Sequence, residues 1–302
     1  MLSNSFTNLI LALPLAFAAP QLSQSYHVQA DLNSTSNQNT SGHAPGHEGA
    51  TAASWSADAI ADQVKQLYAA STNNQRYEIL GANGLAFDFF AAPSFAGGGK
   101  DGGVVLADNT QWPGVVGTGS AMLVGTLGPC GMIAPHNHPR ATEILINIVG
   151  PDLIYGSIPQ GGSEVIMGKA AVGQVALLPK GSYHFVQNGG CTPTVIVAGF
   201  NDESPGALFV SQAYAAFDEE TYEAAFGASG LVMLDPAEIP NTVNLGADDC
   251  LKMCGIDRSY DISNVTKEEL FMQSLAGYLK SINYTASDYP QELQGLTGVS
   301  IQ

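Results

Sequence analysis

Three of the chain's six histidines lie within one glycine-punctuated stretch: His136, His138 and His184. His136 and His138 are two residues apart, so a β-strand points both side chains to one face. Glu143 comes five residues after His138, near the start of the next apolar segment. A tight turn there would fold it back beside the two histidines. His184 follows the turn signal Pro179-Lys180-Gly181 and opens a further apolar segment. Three imidazoles and one carboxylate suit a divalent first-row metal. In an octahedral site they leave two positions for water, dioxygen or a bidentate substrate. A His-x-His pair by itself reads more readily as the polar face of a sheet.

Elements that could position these residues are visible around them. From Gly119 to Asn201 short apolar segments recur, among them AMLVGTL, TEILINIV, DLIYGSI, QVALLP and TVIVAGF, separated by glycine and proline. They are too short for helices, and their regular spacing is that of a β-sandwich or jelly roll. Upstream, Ile60, Val64, Leu67 and Tyr68 have helical spacing behind Ser56 as N-cap, which predicts a helix over 57–70 outside the main core. The stretch from Asn73 to Gly117, with its glycine runs, reads as loop. Downstream, 218–226 reads as helix. Thr266 with Glu269 forms a capping box opening a second helix, whose apolar face carries Leu275, Tyr278, Leu279 and Ile282.

The wider spacing of the ligand-type residues is specific. His136-x-His138-x4-Glu143-x6-Gly150 is followed by Gly173-x5-Pro179-x-Gly181-x2-His184-x3-Asn188. Together these resemble the two cupin motifs of germin-like proteins, and the run from Pro135 to Ile144 is especially similar to the plant germins. The leader and length are closer to the secreted spherulin branch. One position departs from the pattern: Cys130 stands where a glycine is usual, six residues before the first ligand. The resemblance runs from about Phe87 to Gly206. It implies a mainly β cupin jelly-roll barrel with flanking N- and C-terminal helices. It also implies His136, His138, Glu143 and His184 as ligands of manganese, although these ligand types accommodate Fe, Zn and Ni too. Gly181 and Pro179 are read as shaping the turn that aims His184, and Asn188 as tethering a turn.

The resemblance carries three candidate activities. Oxalate oxidases of this family hold oxalate with two asparagines, and those positions fall on Leu123 and Ile133 here. Neither can donate a hydrogen bond, and each unpaired substrate oxygen costs on the order of 1–3 kcal/mol. Oxalate oxidation is therefore the weakest of the three. Superoxide dismutation needs only a redox-active metal with an open site. A non-enzymatic extracellular, cell-wall or storage role of spherulin type is the third. The expected partner at the metal is a small molecule or superoxide.

Composition narrows the class further. Only 12% of residues are charged, and 27 acids against 10 bases give a formal charge of −17. That balance excludes nucleic acid and anionic membranes as partners, since phosphate binding needs clustered Lys and Arg. The apolar run from Leu9 to Ala18 is too short to span a bilayer and ends in Ala16-Phe17-Ala18, the small-x-small pattern of a signal-peptidase site. It predicts a signal peptide over 1–18 and a secreted chain with no membrane segment after cleavage. Sequons at Asn33, Asn39, Asn264 and Asn283 fit secretion.

The expected organisation is a polar leader with one helix over 19–72, a cupin domain over 73–217 and a mixed helical extension over 218–302. The C-terminal helix could mediate a homo-oligomer of germin type or pack on its own barrel. Four cysteines suggest two disulfides. In a jelly roll the strand of His136 runs antiparallel to the strand of His184, so paired residue numbers share a nearly constant sum of about 320. Cys130 and Cys191 come close to that sum, which predicts a Cys130–Cys191 bridge and leaves Cys250–Cys254 as the other.

Overall fold

The computed structural model describes residues 56–95, 99–227, 239 and 242–283. The expected signal peptide, Asn33 and Asn39 lie outside the described residues. Eleven strands are assigned among them: β1 (Gly102–Ala107), β2 (Ala121–Leu127), β3 (Gly131–Asn137), β4 (Glu143–Val149), β5 (Leu153–Ile158), β6 (Ile166–Ala170), β7 (Val175–Leu178), β8 (Tyr183–Asn188), β9 (Thr194–Phe200), β10 (Leu208–Phe209) and β11 (Val243–Leu245). Two antiparallel sheets form, in the orders β1-β2-β9-β4-β7 and β10-β3-β8-β5-β6, with β11 also pairing β3. Alternation does the sorting. On β4, Glu143, Leu145, Asn147 and Val149 are buried while Ile144 and Ile148 are exposed. The inward residues of both sheets, including Leu127, Leu145, Leu153, Leu178, Val186 and Ile196, make one buried cluster. This is a mainly β jelly roll with flanking helices, as the segment spacing predicts.

The helices are α1 (Ala57–Ala69), α2 (Asn73–Gly84), α3 (Val210–Ala215), α4 (Glu219–Phe226), α5 (Asp248–Cys254) and α6 (Lys267–Ser281). The Ser56 side chain accepts from the Ala59 N–H and starts α1. Leu67 of α1, Leu80 of α2 and Val116 form a small cluster separate from the barrel core. The stretch read as loop contains both α2 and β1, which is a correction. In α2 the apolar residues are too few to show a period, and its start is set by a Thr72–Gln75 capping box instead. In β1 the glycines masked a short buried strand. Thr266 and Glu269 form the capping box of α6. Leu270 and Ser274 of α6 are buried, and the helix contacts β9, β2, β1 and β4 of its own chain. Ile282 is exposed. The C-terminal stretch read as helical also adds β11 to the barrel.

The disulfides join Cys130 to Cys250 and Cys191 to Cys254, which overturns both expected bridges. The strand register itself behaves as expected, with Met132 opposite Gln187 and His136 opposite His184. Pairing stops at Met132, however, before either cysteine is reached. Cys130 instead turns with φ 63° and donates its N–H to the Gly190 carbonyl at 3.0 Å. Cys250 and Cys254 lie on α5, one turn apart on one face, where side chains are about 5–6 Å apart at Cβ. Each therefore bonds outward to the barrel end. The two bridges touch, with Cys130 Sγ 3.5 Å from Cys254 Sγ. The φ of Cys130 is one that glycine favours, so the non-glycine residue at this family position keeps the glycine-like turn while being bonded to α5.

Beside this junction lies Asp101, fully buried, with neither carboxylate oxygen hydrogen-bonded. A Cβ on Gly128 would come within 2.2 Å of Asp101 Oδ1, so the carboxyl is tightly enclosed. Burial pushes its pKa from 3.8 up to about 7. The native state then binds a proton that the unfolded chain has released, so the stability Asp101 contributes is present below pH 3.8 and is lost as pH rises through about 7. The full span corresponds to on the order of 4 kcal/mol. Thermal melts of Asp101→Asn and wild type at pH 5 and pH 8 check this: the melting temperature of the variant relative to wild type should rise with pH. An equal difference at both values contradicts it.

Candidate metal centre

Each candidate ligand is delivered by a different local device. On β3 the register shifts between Ile133 and His136, a bulge that re-aims the strand just before the first histidine. His136 lies directly opposite His184 of β8. His138 follows the end of β3, and its carbonyl accepts from the Gly181 N–H at 3.0 Å. Gly181, at φ 75°, makes the turn that leads into His184. Asn188 ties the far end of β8 down, donating from Nδ2 to the carbonyls of Gly128 at 2.7 Å and Thr192 at 2.8 Å.

Glu143 arrives by a route other than the expected tight turn. Strands β3 and β4 belong to different sheets, and residues 138–142 carry the chain from one to the other. Glu143 pairs with Leu178 and Phe200 in the second sheet and meets the histidines across the barrel interior. The site is thus a clasp between the sheets. His136, His138, Glu143 and His184 are all buried, and their ligand atoms lie within 4.8 Å of one another. Glu143 Oε2 is 3.1 Å from His138 Nε2 and 3.2 Å from His184 Nε2.

The outer nitrogens decide what this cluster can hold. His136 Nδ1 faces the Ala134 carbonyl at 2.8 Å, His184 Nδ1 faces the Ser182 carbonyl at 3.0 Å, and His138 Nδ1 faces the Gly206 carbonyl. A carbonyl only accepts, so each Nδ1 carries the proton, and in a neutral ring each Nε2 then presents a lone pair inward. Burial, with the neighbouring His184 and His138, pushes the pKa of His136 down to about 3, so its ring is neutral. Burial opposes the charge of Glu143, and the carboxyl falls below its ordinary range only with positive charge facing it at His138 and His184. Glu143 Oε2 and His184 Nε2 are buried without a hydrogen-bond partner. Converging lone pairs and an anion repel unless a cation sits among them, so the donor set fits a divalent metal. The carbonyls behind the rings fix their orientation.

Two apolar rings lean on the histidines. The Phe209 ring stacks on His136 at 5.0 Å between centroids, and Phe200 meets His138 edge-on at 4.8 Å. Leu123 and Ile133 are buried in the same cluster as these two phenylalanines. Sequence reasoning missed Phe200, Phe209 and Ser157. Ser157 lies directly opposite His184 on β5. Its signal was present in the alternation of Leu153, Tyr155 and Ser157 along an inward face. The other gathering of ligand-type atoms among the described residues, Cys130, Cys250 and Cys254, is committed to disulfides.

A barrel that closes three histidines and a glutamate between its sheets defines a cupin, and residues 93–233 match the family described as Cupin. Spherulin-1A of Physarum polycephalum is 29% identical over 202 residues, covering 66% of this chain and 82% of that protein. Oxalate oxidase GF-2.8 of Triticum aestivum is 38% identical over 109 residues, covering 35% of this chain and 48% of that protein. A solved structure of recombinant oxalate oxidase in complex with glycolate aligns with a TM-score of 0.45 and 26% identity, over 49% of this chain and 77% of that one. The chain thus carries a cupin domain over residues 93–233 and is similar to germin-like proteins and spherulins.

Two consequences of the donor geometry are measurable. Removing His184 as His184→Ala should weaken metal binding by about 100-fold or more, beyond what loss of an outer-shell partner costs. Stripping the metal from wild type should lower the melting temperature by about 10 °C, the effect of a ligand present at about 1,000 times its Kd on a domain this size. Elemental analysis after dialysis and calorimetry with and without chelator read the two effects. Full metal retention by His184→Ala contradicts the assignment.

Proposed function

We propose that this protein is a secreted, metal-binding germin-like cupin that holds manganese through His136, His138, Glu143 and His184 and dismutates superoxide. The observation that carries this reading is the convergence of inward-facing nitrogens on the Glu143 carboxylate, with Glu143 Oε2 and His184 Nε2 lacking any hydrogen-bond partner. A bound redox-active cation supplies one-electron exchange, by which two superoxide ions and two protons become dioxygen and hydrogen peroxide. The chain's own residues supply the rest. Ala134, Gly206 and Ser182 carbonyls hold the Nδ1 protons and so keep the Nε2 atoms aimed inward. Phe200 and Phe209 limit water around the rings. Apolar Leu123 and Ile133 give no donors for a dicarboxylate, which argues against oxalate as substrate.

Secretion is supported by the apolar N-terminal run and by two disulfides, which persist in oxidising compartments. Asn264 and Asn283 are exposed, as glycosylation of those sequons requires. Among the described residues no helix is long and apolar enough to cross a membrane. A second reading, a metal-holding extracellular protein of spherulin type without catalysis, is favoured by the extent of the Spherulin-1A match, 82% of that protein against 48% for the wheat oxalate oxidase. Assays on the manganese-loaded protein separate these readings. The proposal expects measurable superoxide dismutation and little hydrogen peroxide from oxalate. Absence of dismutation favours the spherulin reading. Brisk, saturable peroxide release from oxalate overturns the argument from Leu123 and Ile133.

A further inference from the structure

One row of residues crosses the sheet that carries the histidines. Phe209 of β10 pairs with His136 of β3, His136 with His184 of β8, and His184 with Ser157 of β5. Residues directly opposite on antiparallel strands share a face, with Cβ atoms about 4.5–5.5 Å apart. Ser157 therefore stands beside His184 on the barrel-interior face, in step with Leu153 and Tyr155. It is 5% exposed, and its Oγ is buried without any hydrogen-bond partner. An orphaned hydroxyl costs stability, roughly 1–3 kcal/mol for a buried polar group. The neighbouring histidines are flanked by apolar rings, Phe209 on His136 and Phe200 on His138, and Leu123 and Ile133 belong to the same core cluster as those rings. A hydroxyl left unpaired at that one position has a free donor facing the site.

We propose that Ser157 is the residue that orients the incoming ligand, its Oγ–H donating a hydrogen bond to a small monoanion that enters beside His184. This rests on the reading that the four ligand residues hold a metal. It also narrows the ligand class. One donor satisfies a diatomic or triatomic anion such as superoxide, whereas a dicarboxylate held through two oxygens leaves two more to share a single donor. A hydroxyl hydrogen bond to an anion is charge-assisted and shorter than a neutral one.

The test uses azide as probe, titrated calorimetrically into the full-length manganese-loaded protein as wild type, Ser157→Ala and Ser157→Thr, with metal content measured on each sample. Ser157→Ala should bind azide about tenfold more weakly with its metal content unchanged, the loss of one hydrogen bond to a charged group. Ser157→Thr, which keeps the hydroxyl, should restore most of the affinity. In the metal-free protein Ser157→Ala should melt a few degrees higher than wild type, because it removes an unpaired buried hydroxyl. Unchanged azide affinity in a fully loaded Ser157→Ala overturns the role of Ser157 alone. A lower melting temperature in metal-free Ser157→Ala also overturns it, since the hydroxyl would then have a structural partner. A wild type that takes up no metal contradicts the metal-binding reading, and this proposal with it.

Discussion

The structure turns on one electrostatic conflict. Three imidazole nitrogens and a carboxylate oxygen are pressed together in a buried space, and the backbone carbonyls behind the rings hold their protons on the far side. Without a cation these groups repel, and low-dielectric surroundings strengthen that repulsion. With one, each lone pair is satisfied and the two sheets are drawn together through Glu143 on one side and the histidines on the other. The apolar core and the site are therefore one object. Its cluster includes Phe200 and Phe209, the rings that lean on His138 and His136.

The barrel end remote from the site solves a different problem. Cys130 occupies a left-handed turn at the start of the ligand strand, a conformation costly for a side chain. The bridge to Cys250 and the neighbouring Cys191–Cys254 bridge fix that turn to α5. Each closes a long loop, an effect on the order of 4 kcal/mol in the chain-entropy account. The helix α5 thereby becomes part of the scaffold that sets the start of β3, and β11 extends the same attachment by pairing β3 directly.

Much of this was legible in the residues. Apolar segments at regular intervals give the strands, because alternation along a half-buried strand leaves a period of two that helices cannot mimic. The two-residue spacing of His136 and His138 puts both on one strand face, and the full set with Glu143 and His184 is what the resemblance to the two cupin motifs implies and what the buried cluster brings together. What failed has physical causes. Strand register implies a Cys130–Cys191 bridge, and that register holds, but pairing ends before the cysteines and α5 presents two of them on one helical face. The spacing suggests a local turn for Glu143, which instead reaches the site across the barrel, a tertiary fact that no local spacing encodes. Helix α2 carries too little periodicity to be seen, and β1 sits behind glycines that read as loop. Ser157 could have been found by alternation, but only the register shows that it stands opposite His184.

The claim that a cation resolves the buried conflict is tested most directly by anomalous diffraction from crystals of the manganese-loaded protein, collected above and below the metal absorption edge. The account predicts one strong anomalous peak per chain, within direct coordination distance of the Nε2 atoms of His136, His138 and His184 and a carboxylate oxygen of Glu143, with each Nδ1 still on its backbone carbonyl. A site without such a peak, or a peak bound through an Nδ1 atom, would contradict it.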